Sequence, residues 1–281
     1  MAEQIVLKTK VRKVSGFDTI FLGGGNMGYA LAAALIGKGV SQPDHVLIVD
    51  PAPEARTRAQ ALGCQVAAQV DASIALGRVL VLAVKPQGMA DALAPLRGRL
   101  QPEQTIVSIM AGVRIATIQA ALGHSAVVRV MPNTPAQVGL GMNVFYAHPA
   151  VHPGQLAAVN ALLQASGEVL RVDSEDLIDA ATAVSASGPA YVYYVAEHWI
   201  RAAQQVGFTE AQAVLLVRQT LKGATALWQS AGASPGRLRE QVTSKGGTTA
   251  AALDAFSAAG VGPGIERGVR AAFERAKELG R

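Results

Sequence analysis

The sequence predicts an α/β chain in two parts: a Rossmann-type domain on a parallel sheet, then an all-α domain that dimerises. Three observations predict it. Between Phe17 and about Val172, short β-branched runs alternate with Ala-rich helical stretches, the layout of a doubly wound sheet. At the head of this region Ile20 to Gly28 reads Ile-Phe-Leu-Gly-Gly-Gly-Asn-Met-Gly, an apolar strand entering a helix through a glycine loop. After Asp173 the strands stop and only helical patterns follow, which predicts domains of 17–173 and 174–281 behind a basic tail of 1–16.

The glycine loop comes first. Gly23, Gly25 and Gly28 fill G-x-G-x-x-G between a strand and a helix, the context in which the pattern signals a dinucleotide. Gly23 allows the tight turn, Gly25 lets backbone approach a pyrophosphate, and Gly28 lets the helix lie close on the strand. Free N–H groups at the helix start then face the anion. An ordinary βα turn is the alternative, but the strand Val46–Asp50, ending in an acid about twenty residues on, favours the dinucleotide. Asp50 there would accept from a ribose 2′-OH and select NADH, whereas Arg56 or Arg58 just beyond would favour NADPH.

Four nearly continuous apolar runs, Val46–Asp50, Val79–Val84, Ile106–Met110 and Val127–Met131, read as strands buried on both faces. Met27–Gly37, Pro53–Leu62, Met89–Arg99 and Ile115–Leu122 are the crossover helices between them. Asn143–Tyr146 and Glu168–Val172 add edge strands around a helix from Pro153 to Leu163. Six helices follow: Ser174–Val184, Pro189–Val206, Glu210–Gln229, Pro235–Val242, Thr249–Phe256 and Gly264–Leu279. Thr209 and Gln212 form a capping box, and Pro189 suits the first turn of its helix. Tyr191–Ile200 and Ala211–Leu221 read apolar nearly all round, so a second subunit is their natural cover. Trp199, Trp228 and the group Tyr191, Tyr193 and Tyr194 fit a core or an interface better than a ring-stacking site.

Bulk properties exclude several classes. The net charge is +5, and Lys8, Lys10, Arg12 and Lys13 against Glu3 put more than half of it in the tail. The remainder is too small and too dispersed for a nucleic-acid surface. The tail lacks the apolar region of a secretory signal, and Lys85 and Glu197 interrupt the best candidates for a membrane span. Cys64 stands alone, so no intrachain disulfide forms, and a reducing cytoplasm is expected.

Three further strand ends carry candidate chemistry at the carboxyl edge where open α/β sheets bind ligands. Ala83-Val84-Lys85-Pro86 closes one, with Lys85 either approaching a cofactor or simply ending a strand before a proline turn. Ala111-Gly112 closes the next and would let a ligand lie against backbone. Pro132-Asn133-Thr134-Pro135 closes the third as a rigid loop. In the helical half, Thr243-Ser244-Lys245-Gly246-Gly247-Thr248-Thr249 ends one helix and opens another. Its N–H groups and hydroxyls would hold a carboxylate without an arginine, or the turn is simply a well-capped helix start.

These segments, in this order, resemble pyrroline-5-carboxylate reductase. The blocks are Gly23–Gly28 with Asn26-Met27, Ala83–Gln87, Ser108–Val113, Arg129–Pro135, Ser187–Tyr191 and Val242–Thr249, and the likeness extends from Phe17 to the C-terminus. It implies a Rossmann domain, an interleaved helical dimer often built into a decamer, and the last step of proline biosynthesis with NADPH or NADH. By position, it implies that Gly25, Asn26 and Met27 line the pyrophosphate and that Val84, Lys85 and Ala111 touch the rest of the cofactor. Ser244, Gly247, Thr248 and Thr249 would hold the substrate, and Glu175 would lie near the product. Hydride would pass to the imine carbon, with one hydroxyl at the ring nitrogen. Lys245 stands where proline is commoner, Ala186 replaces a glycine, and Gly232 lies where many members have an acid.

Two other classes share parts of this plan. A β-hydroxyacid dehydrogenase needs a catalytic lysine on a helix of its second domain, and Lys222 is the mid-helix candidate, although its place in an apolar stretch suits a snorkelling side chain. A non-catalytic dinucleotide sensor would keep the glycine loop but would have no need of the segment Ser244 to Thr249.

Overall fold

A computed structural model describes residues 16–280, and all but the last residue of the predicted tail lies outside them. The chain divides into two compact units, one ending at Thr182 but including Ala276 onward, the other running from Ala183 to Arg275. In the first unit the strands are β1 (Phe17–Leu22), β2 (Val46–Val49), β3 (Gln65–Ala67), β4 (Gly77–Leu82), β5 (Thr105–Ser108), β6 (Val127–Met131), β7 (Gly141–Ala147) and β8 (Gly167–Arg171). They form one sheet in the order β3-β2-β1-β4-β5-β6-β7-β8. Its helices are α1 (Asn26–Gly37), α2 (Pro53–Gln60), α3 (Met89–Leu93), α4 (Ile115–Leu122), α5 (Pro153–Gln164) and α6 (Asp176–Ala181).

Alternation along each strand splits the core into two layers. Phe21, Ile48, Val81, Val107 and Val130 face one side with Leu31 and Leu35 of α1 and Val159 and Leu163 of α5. Ile20, Leu22, Leu47, Leu80, Leu82 and Ile106 face the other, with Leu93 of α3 and Ile118 of α4. Burial on both faces is what makes these strands read as continuous apolar runs.

Three details differ from the expectation. β3 is an additional edge strand of three residues paired only with β2, too short to show a period. β7 is not an edge: it lies antiparallel to β6 and carries β8 in parallel, which leaves β8 as the rim. The connection from β6 to β7 is a short 3₁₀ loop, which favours antiparallel pairing over a crossover. The predicted helix Met89–Arg99 stops at Leu93 and tightens into a 3₁₀ turn at Ala94–Leu96, because Pro95 cannot continue an α-helix.

Arg129 in the middle of β6 is fully buried. Its Nη2 donates to Asp179 at 2.6 Å and its Nη1 to Glu175 at 3.2 Å, so α6 docks on the sheet through carboxylates. This is the physical reason the first unit extends to Thr182, beyond the change of pattern at residue 173.

The second unit is helical. A π-turn at Thr182–Ala186, which includes the unusual Ala186, leads to α7 (Gly188–Gln205), α8 (Glu210–Ala231), α9 (Pro235–Gln241), α10 (Thr248–Ala258) and α11 (Val261–Leu279), whose last turn returns to the first unit. The Thr209–Gln212 capping box forms as expected. Gly232 closes α8 with φ +60°, a left-handed conformation that an acid at this position would strain. No residue of α7 is buried, and only Ala213 and Val217 of α8 are. Tyr193, Tyr194, Trp199 and Trp228 lie on the surface of the chain and are not core.

Removing one partner of a buried ion pair leaves the other charge uncompensated. Asp179→Ala should therefore lose roughly 3–5 kcal/mol of stability in urea unfolding. A loss under about 1 kcal/mol, the scale of an exposed pair, would remove the network from the list of interactions that hold the fold.

Candidate active site

Four strands of the first unit end at one level. Registers Leu22↔Val49, Leu22↔Leu82 and Leu82↔Ser108 align the ends of β1, β2, β4 and β5. The bonds from Gly23 N–H to Val49 O, Ala83 N–H to Leu22 O and Ile109 N–H to Leu82 O start the loops side by side. The glycine loop, Ala83–Pro86 and Ile109–Val113 thus border one crevice at the carboxyl edge of the sheet.

Within it, Gly23 has φ +103°, and a Cβ there would sit 2.6 Å from the Ala83 carbonyl oxygen. A Cβ on Gly28 would meet Gly23 O at 2.2 Å and the Ala83 Cβ at 3.2 Å, so α1 reaches the strands only because this residue is glycine. Gly25 is the N-cap of α1, with no side-chain cap and no acid in the first turn, and a Cβ on it would meet nothing within 4 Å. Open space over free N–H groups fits a pyrophosphate. Asn26 is exposed and Met27 half-buried beside it. An adjoining cavity of about 500 Å³ is lined by Gly23, Asp50, Gln69, Val84 and Arg99 among others. Lys85 is exposed and precedes the Pro86–Gly88 turn.

Two residues of this edge have close partners within the chain. The Asp50 carboxylate, expected to await a ribose, accepts from Gly24 N–H at 2.7 Å and from Ala52 N–H at 2.8 Å. Its first task is to tie the glycine loop to the end of β2. Arg56 donates to the Asp50 and Pro51 carbonyls, while Arg58 donates to Gly24 O at 2.7 Å and stacks on Tyr29, 4.3 Å from the ring centre. Gly112, with φ +72°, packs under the Leu279 carbonyl, where a Cβ would approach to 2.6 Å. Ala111 beside it stays exposed.

Glu175 also has partners of its own. Its Oε1 accepts from Ile115 N–H at 2.8 Å, capping α4, and from Arg129 at 3.2 Å. Arg114 pairs with Asp176 at 2.6 Å, and that bond raises its pKa above the ordinary arginine value. Sequence reasoning noted Arg129 only as part of a motif. An arginine inside the run Val-Val-Arg-Val-Met was itself a signal, since such a charge demands buried carboxylates.

In the second unit, Ser244 to Thr249 forms a compact turn. Gly247 N–H donates to Ser244 O at 3.0 Å, so it is not available to a substrate as expected. A Cβ on Gly247 would lie 2.4 Å from Ser244 Oγ, which shows how closely that hydroxyl overhangs the start of α10. No side chain caps α10, and its first turn holds no acid. A merely well-capped helix start is therefore not what is built here. Ser244 and Thr248 are exposed, Thr249 is half-buried, and Lys245 is exposed in the same turn. Lys222 of α8 is exposed as well.

A family model described as pyrroline-5-carboxylate reductase dimerisation matches residues 175–279, and one described as NADP oxidoreductase, coenzyme F420-dependent, matches 19–112. The pyrroline-5-carboxylate reductase of Pseudomonas aeruginosa is 39% identical over 261 residues, covering 92% of this chain and 95% of that protein. The chain belongs to the pyrroline-5-carboxylate reductase family. A pyrroline-5-carboxylate reductase structure from Coxiella burnetii superposes on this reductase with a TM-score of 0.88 at 31% identity, covering 95% of this chain and 100% of that one. The pyrroline carboxylate reductase of Plasmodium falciparum, solved with NADP bound, superposes with a TM-score of 0.85 at 26% identity, covering 95% and 100%.

Gly25 and Gly28 of the loop separate binding from packing. Gly28→Ala should cost about 1–3 kcal/mol, because a carbonyl oxygen occupies the space. Gly25→Ala should leave the melting temperature nearly unchanged but weaken reduced-cofactor binding in a fluorescence titration. Unchanged binding by Gly25→Ala would move the pyrophosphate elsewhere.

Proposed function

We propose that the first unit holds reduced NADPH or NADH across the glycine loop and that the turn from Ser244 to Thr249 holds the imine. The reaction is the NAD(P)H-dependent reduction of 1-pyrroline-5-carboxylate to L-proline, the last step of proline biosynthesis. The observation that carries the assignment of residues is the start of α10, left uncapped beneath the Ser244 hydroxyl.

When bound, the cofactor supplies the hydride that the imine carbon accepts. Gly23, Gly25, Asn26, Met27 and Gly28 orient it at the start of α1, while Ala83, Val84, Lys85, Pro86 and Ala111 border the rest of the crevice. Asp50 acts through the loop it holds. Ser244 and the N–H groups of Thr248 and Thr249 hold the substrate carboxylate, and Lys245 adds a positive charge beside it. Thr249 donates a hydrogen bond from its hydroxyl to the ring nitrogen, which takes up a proton from water as the hydride reaches the carbon, so that C=N becomes CH–NH. Since the C=N bond is already polarised, positioning and one preorganised donor suffice.

The exposed apolar surface of α7 and α8 is covered, in this reading, by a second copy of the chain, with a decamer of five dimers as the larger assembly. A lone buried cysteine, its thiol pushed up to about 11 by burial, suits the cytoplasm, where we place the enzyme. We assign it no nucleic-acid or membrane partner.

Purified protein mixed with reduced cofactor and pyrroline-5-carboxylate should form proline. Thr249→Ala should lower kcat on the order of a hundredfold with a smaller change in KM, while Thr249→Ser keeps most activity. Normal kcat in Thr249→Ala would exclude it from the site. In sedimentation at micromolar concentration the chain should run as a dimer or larger; a stable folded monomer would refute the assignment of α7 and α8.

A further inference from the structure

We infer that Glu175 is a positioning residue, which sets the β5–α4 loop against the cofactor rather than binding substrate, and this rests on the cofactor reading above. The loop in question, Ile109–Arg114, starts level with the glycine loop and Ala83, and its Ala111 is exposed. Met110 and Val113 pack into the core, but the end of the loop has no cap of its own. Arg114 is the N-cap of α4 but offers no capping acceptor. The acceptor comes from α6 instead, where Glu175 Oε1 takes the Ile115 N–H at 2.8 Å.

That carboxylate is itself held. Arg129, fully buried, donates to Glu175 with one Nη and to the buried Asp179 with the other. Arg114 binds Asp176 at 2.6 Å and approaches Asp179 at 3.7 Å, so the end of the loop is tied to α6 through side chain and backbone together. On its other side Gly112 is packed under the carbonyl of Leu279, and Ala276 of the same turn is buried. Residues 112, 114 and 115 are therefore anchored to the two segments that immediately precede and follow the helical unit in the chain, 175–182 and 276–280. A carboxylate that already serves a helix N-terminus and a buried arginine is a poor site for a second carboxylate, the negative group of the substrate. Its position one loop away from the cofactor crevice makes it a good anchor for that loop.

A substrate ligand, a positioning residue and a purely structural residue give different signatures. Melting temperature, NADPH dissociation constant by fluorescence titration, and steady-state kinetics are measured on wild type, Glu175→Ala and Glu175→Gln. Glu175→Ala should weaken NADPH binding severalfold and lower kcat by roughly tenfold to a hundredfold, with the imine KM changed by no more than about twofold. Glu175→Gln keeps an acceptor for the Ile115 N–H and should recover most of both. A raised imine KM with unchanged NADPH binding and kcat would make Glu175 a substrate ligand and overturn the inference. So would a lowered melting temperature alone. Should Glu175→Ala not fold, Arg114→Ala loosens the same loop from its partly exposed side; weaker NADPH binding with lower kcat supports the inference, and normal values overturn it. Inactive wild type that still binds NADPH would instead count against the proposed substrate.

Discussion

A guanidinium with no access to solvent cannot remain in a protein interior unless carboxylates meet it there, and much of this structure follows from that requirement at Arg129. The strand around it is apolar and buried on both faces, so the partners must come from outside the sheet. Asp179 and Glu175 supply them from α6, which binds a helix at the end of the first unit to the middle of β6. The domain division is set by this electrostatic tie, which is why it falls after α6 and not where the strands stop.

The same tie reaches the chemistry. Glu175 uses one oxygen for Arg129 and for the first N–H of α4, so the end of the β5 loop and the sheet interior share a single carboxylate. Asp50 works similarly on the other side of the crevice, joining the glycine loop to the residues after β2. In both cases an acid beside the crevice accepts from the backbone of a loop that borders it. Rigid loops at the ends of in-register strands are the preorganisation that a hydride transfer to an already polarised bond needs most.

The second unit follows a different logic. Its helices are amphipathic or apolar but bury little within the chain, in a stretch that matches the family's dimerisation model. The turn before α10 is likewise unfinished by itself: its helix start has no side-chain cap, and the Ser244 hydroxyl hangs over Gly247 where a side chain would lie. Under the proposed function, the first of these surfaces is the dimer interface and the second holds the substrate.

The sequence by itself determined the elements whose signals are local. Continuous apolar runs of buried strands, the Thr209–Gln212 cap, the glycine loop and the ordered motifs of the family were all legible, because period, turn chemistry and spacing depend on near neighbours. β3 was not, being three residues on an edge, nor was the antiparallel placement of β7. The partners of Arg129, Asp50 and Glu175 were equally hidden, since each interaction joins residues far apart in the chain. Gly112 shows the point most simply. Glycine is needed there because the carbonyl of Leu279, more than a hundred and sixty residues later in the last turn of α11, lies where a side chain would stand. Which acid serves a ligand and which serves the backbone is decided by what the fold brings within about 3 Å, and only the tertiary structure contains that distance.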